Sequence, residues 1–500
     1  MRLIIALSTA ATLAAAAAVN QKRAALDDCL LDAGVPTSTP GTTDWTIDAH
    51  AFNQRLKYTP AAIAAPTTIE HVRLAVECAV QVGGVKVTAK SGGHSYASFG
   101  LGGEDGHLVV QLDRMDEVEL DTETGIATVQ AGARLGHVAT VLIEEGRDFS
   151  HGTCPGVGVS GHTLHGGFGF SSHTHGLALD WAVGATVVLA NGTIVEASTT
   201  ENPSLFWALR GAGSNFGIVV TWRFRTFVVP ETVTAFEVNL PQWRTNATTL
   251  AKGLAELQDW LASGGMPKEM NMRLLGNGFQ VQLQGLYHGD SEGMRAALAP
   301  LLPRLGTGVN ATGVREYDWM GGFRHYAYSA QIDVRRPHRQ AETFYAKSLV
   351  TGALPEDVLQ RVAEYWVTKP ATAARGRSWY VLIDMYGGPN SAITQVPKDE
   401  TSYAYRDPQK HLFLYQFNDG SFFGQYPANG FEFLDGWVKT FTDGLWEDWG
   451  MYINYADPRL ERERAQEVYY RESLPRLRQL KKQLDPDELF YYPQAIKPAE

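Results

Sequence analysis

Positive charge, cysteine and long apolar runs are all scarce in this sequence, and each scarcity removes a class of function. Lysine and arginine number 43 against 54 acidic residues, a net charge of −11. That balance leaves no basic face for nucleic acid. Past the N-terminus, no apolar run approaches the ~20 residues that a membrane helix requires. No glycine cluster is followed by Lys-Ser or Lys-Thr, which excludes a P-loop, and no Gly-x-Gly-x-x-Gly closes a first strand, which excludes a Rossmann reading. Internal repeats are absent.

The first residues, MRLIIALSTAATLAAAAAV, join Arg2 to an alanine-rich apolar run. This is the pattern of a secretory signal peptide, placed at residues 1–18, with Lys22-Arg23 as a further processing site. Three sequons, at Asn191, Asn246 and Asn310, are candidate glycosylation sites and fit an exported, extracellular protein, expected to be a monomer. Export makes the three cysteines informative, because an oxidising compartment pairs two and leaves one. Cys29 sits in a helical pattern (Ala24 to Ala33) and Cys78 in another (Ile69 to Val82), so a Cys29–Cys78 disulfide is expected. Cys154 lies in a glycine-rich loop, either as a quietly packed thiol or as a functional one.

What is abundant is glycine beside histidine. From His151 to Trp181 the chain carries Cys154, five histidines (His151, His162, His165, His173, His175) and eight glycines, among them Gly158, Gly161, Gly166, Gly167 and Gly169. A second cluster, Lys90-Ser91-Gly92-Gly93-His94-Ser95-Tyr96, follows a strand pattern at Val85–Lys90. Such density strips side chains from a surface so that a ligand can lie against main-chain N–H groups. Both clusters are expected to grip one large flat cofactor.

At 500 residues two domains are expected. Up to about residue 230, short strands alternate with helices at Ile69–Val82, Leu135–Glu145 and Pro203–Leu209. A type I′ hairpin is expected at Asn191-Gly192. Beyond it, Phe236–Leu240, Met270–Leu275, Gln280–Tyr287, Trp379–Tyr386 and Leu412–Phe417 read as strands of one sheet. Helical patterns at 247–263, 291–304 and 355–367 interleave with them, and Leu460 to Leu484 reads as one C-terminal helix. The fold class is α+β, with a cofactor domain at 26–230, a sheet domain at 231–440 and a C-terminal segment, 441–500, returning to the first.

The histidines invite a zinc reading, but their spacings match no zinc pattern and glycine loops are poor scaffolds for ligands, so no metal is expected. Flavin fits better. A secreted enzyme gains from covalent attachment of a redox cofactor, and histidine and cysteine are suited to form the bond. The pair Ser91-Gly-Gly-His94-Ser-Tyr and Gly152-Thr-Cys154-Pro-x-Val-Gly-x-x-Gly-His162 resembles the berberine-bridge-enzyme-like group of the vanillyl-alcohol-oxidase flavoproteins. Further matches are His175–Asp180, Ser204–Gly211 and Asp485-Pro-x-x-x-Phe490, so the likeness spans nearly the whole chain. Within that group, Gly102–His107, Ser150–Cys154, His173–Leu177 and Asn454-Tyr455-Ala-Asp457 are most similar to the fungal gluco-, xylo- and chitooligosaccharide oxidases.

The resemblance implies FAD joined through its 8α-methyl to His94 and through C6 to Cys154. It is cradled by Ser91, Gly92, Gly93, Ser95, Tyr96, Gly158, Gly161, His162, Gly166, Gly167, Gly169, Val219 and Asn454. It also implies oxidation of a sugar's reducing-end C1 hydroxyl to a lactone, which hydrolyses to an aldonic acid while oxygen becomes hydrogen peroxide. Tyr455 would be the base, assisted by Asp384, because a phenol near pKa ~10 needs a carboxylate partner to act at neutral pH. From the residues alone, Tyr455 reads better as a core tyrosine and Asp384 as a charge at a strand end; the resemblance reverses that preference. Thr153, Tyr328, Glu342, Tyr380, Leu382 and Gln416 would line the sugar groove. Tyrosine at 380 and leucine at 382 stand where a glucooligosaccharide oxidase has tryptophan and glutamine, which leans the expectation toward xylose units. Rival readings are a same-fold oxidase of a phenolic or secondary-metabolite alcohol, a dehydrogenase with another acceptor, and a secreted flavin- or metal-binding protein without turnover.

Overall fold

Helix Ile69–Val82 shows how local signals set the first layer. Thr68 caps it by accepting the His71 N–H at 3.2 Å, and Gly83, at φ 71°, ends it. Its buried face (Val72, Ala75, Val76, Ala79) packs against Leu26 and Leu30 of helix 22–32, and Cys29 is bonded to Cys78 with the Cα atoms 5.7 Å apart. The chain then enters a parallel sheet of β1 (Ala62–Ala64), β2 (Val87–Lys90) and β3 (Leu108–Gln111), in the order β1-β3-β2. Beside it lies an antiparallel sheet of β4 (Val118–Asp121), β5 (Ile126–Gln130), β7 (Ala182–Val188), β8 (Ile194–Ser198) and β9 (Ile218–Arg225), in the order β4-β5-β9-β7-β8. β6 (Arg147–Asp148) pairs separately with β10 (Phe227–Val228). This computed structural model describes residues 22–308, 312–421, 425–446 and 448–500, so the expected signal peptide and Asn310 lie outside the described residues. No helix among the described residues is long and apolar enough to cross a membrane.

The later chain builds one eight-stranded sheet from β11 (Val233–Asn239), β12 (Met270–Asn277), β13 (Val281–Tyr287), β14 (Thr312–Tyr317), β15 (Phe344–Thr351), β16 (Ser378–Met385), β17 (Phe413–Gly420) and β18 (Trp449–Gly450). Their order is β14-β11-β13-β12-β16-β17-β15-β18. Alternation divides the two faces. On β16, Trp379, Val381, Ile383 and Met385 are buried in one core with Leu257, Val362 and Trp437 from the helices Ala247–Ala262, Glu356–Thr368 and Ala428–Thr442. Tyr380, Leu382 and Asp384 therefore share the opposite face, with Gln416 of β17 paired to Leu382 and Arg273 of β12 paired to Asp384.

Three local expectations change. The hairpin at Asn191-Gly192 is a wider turn in which the Gly192 N–H donates to the Leu189 carbonyl at 3.0 Å and Gly192 alone is left-handed, at φ 78°. The helix expected over 291–304 stops at Leu298, where Pro300 forbids continuation. The C-terminal helix is two, Arg462–Tyr470 and Leu474–Leu484, divided at Arg471 (φ 46°) because Pro475 lacks the N–H that a continuous helix needs.

The end of the chain returns to β2, where the Val87 N–H donates to the Leu489 carbonyl at 2.8 Å. A buried ion pair fixes that return. Lys481 donates to Asp485 (2.6 Å) and to the carbonyls of Asn215 (2.7 Å) and Phe490 (2.8 Å). Asp485 accepts the N–H groups of Leu489 and Phe490 at 2.7 and 2.9 Å. Lys481→Met would strand the Asp485 carboxylate without its cation; the expected loss is about 3–5 kcal/mol of unfolding free energy, read by urea denaturation.

Candidate active site

The two glycine clusters meet main chain to main chain. A Cβ on Gly92 would stand 2.2 Å from the Gly158 nitrogen, and one on Gly158 2.1 Å from the Gly92 nitrogen, so only glycine serves at either position. Arg134 ties the loops together by donating to the carbonyls of Gly92 (2.8 Å) and Gly156 (2.5 Å). Ser91 anchors the first loop to the Ala131 carbonyl at 2.6 Å, and the Ser95 hydroxyl accepts the Phe99 N–H at 3.1 Å. In the second loop His162 accepts the Gly152 N–H at 3.0 Å, and burial pulls its pKa down to about 3, so it stays a neutral acceptor.

These loops wall a cavity of about 670 Å³ whose other wall is the polar face of the eight-stranded sheet. Ser91, Gly92, Gly93, His94, Ser95, Tyr96, Thr153, Cys154, Gly158, Gly161, His162, Gly169, Val219, Asn454 and Tyr455 line it from the first layer and the C-terminal return. Tyr328, Tyr380, Leu382, Asp384 and Gln416 line it from the sheet side. Cys154 has protein on every side yet its surface is open to the cavity, and burial raises its thiol pKa against the pull of Arg273. Burial draws the His94 imidazole down to about 4. Gly161 faces open space.

Three expected site residues stand elsewhere. Gly166 and Gly167 lie off the cavity wall. Their bareness serves packing, since a Cβ on Gly166 would meet Tyr452 at 2.7 Å and one on Gly167 would meet Ala178 at 2.3 Å. Glu342 is beside the wall, bridged to Asn53, with its carboxylate accepting from Gln340 at 3.5 Å; burial raises its pKa. Asn454 donates to the His162 carbonyl (3.1 Å) and the Tyr452 hydroxyl (3.0 Å), and that hydroxyl accepts the Gly167 N–H at 2.8 Å. His173 and His175 are not on the wall. His175 stacks on Phe227 with ring centres 3.9 Å apart. Among the described residues no three metal-type side chains cluster.

The wall carries two groups with strongly raised pKa values, Asp384 from the sheet side and Tyr455 from the C-terminal return. Asp384 is buried and its pKa is pushed up to about 7, despite the opposing Arg273. Burial, then the Asp384 charge, drives the Tyr455 phenol well above its usual range. Tyr455 stacks on Tyr96 at 5.6 Å with 16° between the planes, and Gln416 donates to the hydroxyls of both Tyr96 and Tyr380 at 2.9 Å. The arrangement is an aromatic slot ending in a coupled phenol and carboxyl, suited to stacking on a sugar's C–H face and taking a proton from its hydroxyl. Tyr328 stands at the rim, 68% exposed, its hydroxyl accepting from Gln284 at 3.3 Å.

Sequence reasoning missed Arg273 and Gln284. Arg273 lies against the rings of Phe170 and Tyr326 (4.6 and 5.7 Å) and donates to Gln284 at 3.0 Å. The strand pattern at Met270–Leu275 was visible, but the register that sets Arg273 across from Asp384 was not.

Comparison with known proteins agrees with this geometry. Residues 60–198 match the FAD binding domain family, and residues 451–497 match the berberine and berberine-like family. The chain is 64% identical over 499 residues to the xylooligosaccharide oxidase of Thermothelomyces thermophilus, covering 99% of both. The solved xylooligosaccharide oxidase of Myceliophthora thermophila C1 in complex with xylobiose superposes with a TM-score of 0.92 at 64% identity, covering 95% of this chain and 100% of that one. The glucooligosaccharide oxidase of Acremonium strictum, whose FAD is 6-S-cysteinyl and 8α-N1-histidyl, gives 0.90 at 41% identity, covering 95% and 99%. Gly158→Ala is expected to force the two loops apart, so that purified protein shows little flavin absorbance per chain beside the wild type.

Proposed function

The chain belongs to the FAD-linked oxidases of the berberine-like family, and on that premise we propose that it oxidises the reducing-end C1 hydroxyl of oligosaccharides, xylo-oligosaccharides foremost. The residues present fit FAD: two glycine-lined loops meet at a cavity onto which both His94 and Cys154 open, and bare backbone at Gly161 faces free space. We assign FAD to the part formed by 26–230 with 441–500, linked to His94 and Cys154, and the sugar to the part formed by 231–440. Held there, FAD would supply the hydride acceptor, with dioxygen as the terminal oxidant reduced to hydrogen peroxide.

This chain's residues handle the proton and the pose. Tyr455 takes the proton of the anomeric hydroxyl, and Asp384 makes that possible by accepting the phenol's own proton. Tyr96 and Tyr380 present rings to the sugar, oriented through Gln416. Thr153 and Tyr328 supply polar edges, and the Glu342 carboxylate lies beside the wall, engaged with Gln340. Leu382 offers no hydrogen bond to a hydroxymethyl group, so a pentose loses nothing there and a hexose leaves its extra hydroxyl unpaired. The lactone product hydrolyses to an aldonic acid. A secreted protein with an N-terminal signal at residues 1–18 fits such a substrate, since xylo-oligosaccharides arise outside cells.

The observation that carries the reading is the placement of Asp384. It shares one strand face with Tyr380 and Leu382 while its charge reaches Tyr455 across the cavity. The test is anaerobic flavin bleaching by xylobiose. Tyr455→Phe should keep its flavin yet bleach roughly a hundred- to ten-thousand-fold more slowly; bleaching at the wild-type rate would remove Tyr455 as the base. Asp384 must be deprotonated to accept a proton, and its pKa is about 7. The wild-type bleaching rate should therefore rise with pH through about 7, and Asp384→Asn should be slow and lack that rise.

A further inference from the structure

Next to the main cavity lies a small second one, bounded by Phe52, Lys90, His94, Arg134, His338 and Gln340. Lys90, Gly92, Gly93 and His94 line both cavities. The His94 Nε2 faces the Gln340 Oε1 at 3.4 Å, and its ring stacks on Phe52 with centres 3.8 Å apart and 25° between the planes. The Gln340 amide nitrogen is directed to the Glu342 carboxylate at 3.5 Å, which turns the amide oxygen toward His94. Segment 340–342 is itself held: the His50 ring contacts the Gln340 carbonyl at 3.2 Å, the Glu342 N–H donates to the Phe52 carbonyl at 2.8 Å, and the Gln54 N–H to the Glu342 carbonyl at 2.7 Å.

From this geometry we propose that Gln340, oriented by Glu342, is the positioning residue for flavin attachment at His94. By accepting the Nε2–H hydrogen bond it fixes the tautomer whose lone pair is on Nδ1, the ring nitrogen that is not turned to Gln340. The inference rests on the FAD linkage proposed above. Attachment forms one bond, from Nδ1 to the 8α-methyl carbon. The methyl loses a proton and leaves an electron pair on the isoalloxazine, Nε2 loses its proton, and dioxygen takes the pair with two protons to become hydrogen peroxide. Gln340 bears on the charge that builds at Nε2 during the attack, because a carbonyl acceptor stabilises a developing imidazolium. Burial, with Arg134 and His338 nearby, keeps the ring neutral and its lone pair available beforehand. Among the described residues no hydrogen bond joins Gln340 to Cys154, whose thiol responds to burial, Arg273 and Glu342 instead, so Gln340 acts on the His94 link.

The experiment separates the links. Gln340→Leu is introduced into Cys154→Ala, where His94 alone can hold flavin, and into His94→Ala, where Cys154 alone can. Each protein is precipitated in acid, and flavin in the pellet is quantified and mapped to peptides by mass. Retained flavin should fall several-fold in the Cys154→Ala background and stay unchanged in the His94→Ala background. Should Gln340→Leu not fold, Gln340→Met keeps the side-chain length with a weaker acceptor and is expected to shift retention in the same direction. Unchanged retention in Cys154→Ala would overturn the proposal, and equal loss in both backgrounds would reduce Gln340 to a structural part. Absence of any flavin on the His94 peptide of wild-type protein would instead defeat the linkage itself, and this proposal with it.

Discussion

The approach of Gly92 to Gly158 is the constraint on which the rest depends. With each bare Cα against the other's backbone nitrogen, the loops carrying His94 and Cys154 become two sides of one cavity. Arg134, donating to both loops, holds the contact as a hinge pin would. Widening that contact by one methyl group would move the two proposed attachment atoms relative to each other, and a rigid ring joined at both cannot follow.

The second requirement is a wall that faces the cofactor with fixed polar groups, and a β-sheet meets it through its period of two. One face of β16 joins the helices through Trp379, Val381, Ile383 and Met385. The other then presents Tyr380, Leu382 and Asp384 without any separate device. Neighbouring strands add Gln416 and Arg273 at the same level, so the groups proposed to handle the proton and to face the sugar are set by register, held by the packing on the far side. Burial supplies the electrostatics: it lifts Asp384 to about 7 and, together with the Asp384 charge, raises the Tyr455 phenol.

What could be read from the chain, and what could not, divides by the range of the interaction. The strand before Ser91–Tyr96 and the capped helix at Ile69–Val82 rest on neighbours in sequence, and those signals are local. Glycine density marked the cavity-lining loops, yet Gly166 and Gly167 carry the same composition and answer to Tyr452 and Ala178 instead, partners distant in sequence or hidden by a turn. β15 escaped notice because Lys347 and Ser348 interrupt its apolar run, although all eight of its residues are buried. Arg273 and Gln340 were invisible as site residues for a related reason. One acquires meaning from strand register, the other from a bridge between Asn53 and Glu342. The roles proposed for Tyr455 and Asp384 came from family resemblance; composition and spacing alone favoured a core tyrosine and a strand-end charge.

The most direct measurement is to incubate the holoenzyme with xylobiose in air, identify the sugar product by mass and fragmentation, and titrate the peroxide formed. The account predicts xylobionic acid, oxidised at the reducing end alone, with one hydrogen peroxide per sugar consumed. Xylobiose recovered unchanged from flavin-loaded protein, or oxidised at any other carbon, would contradict it.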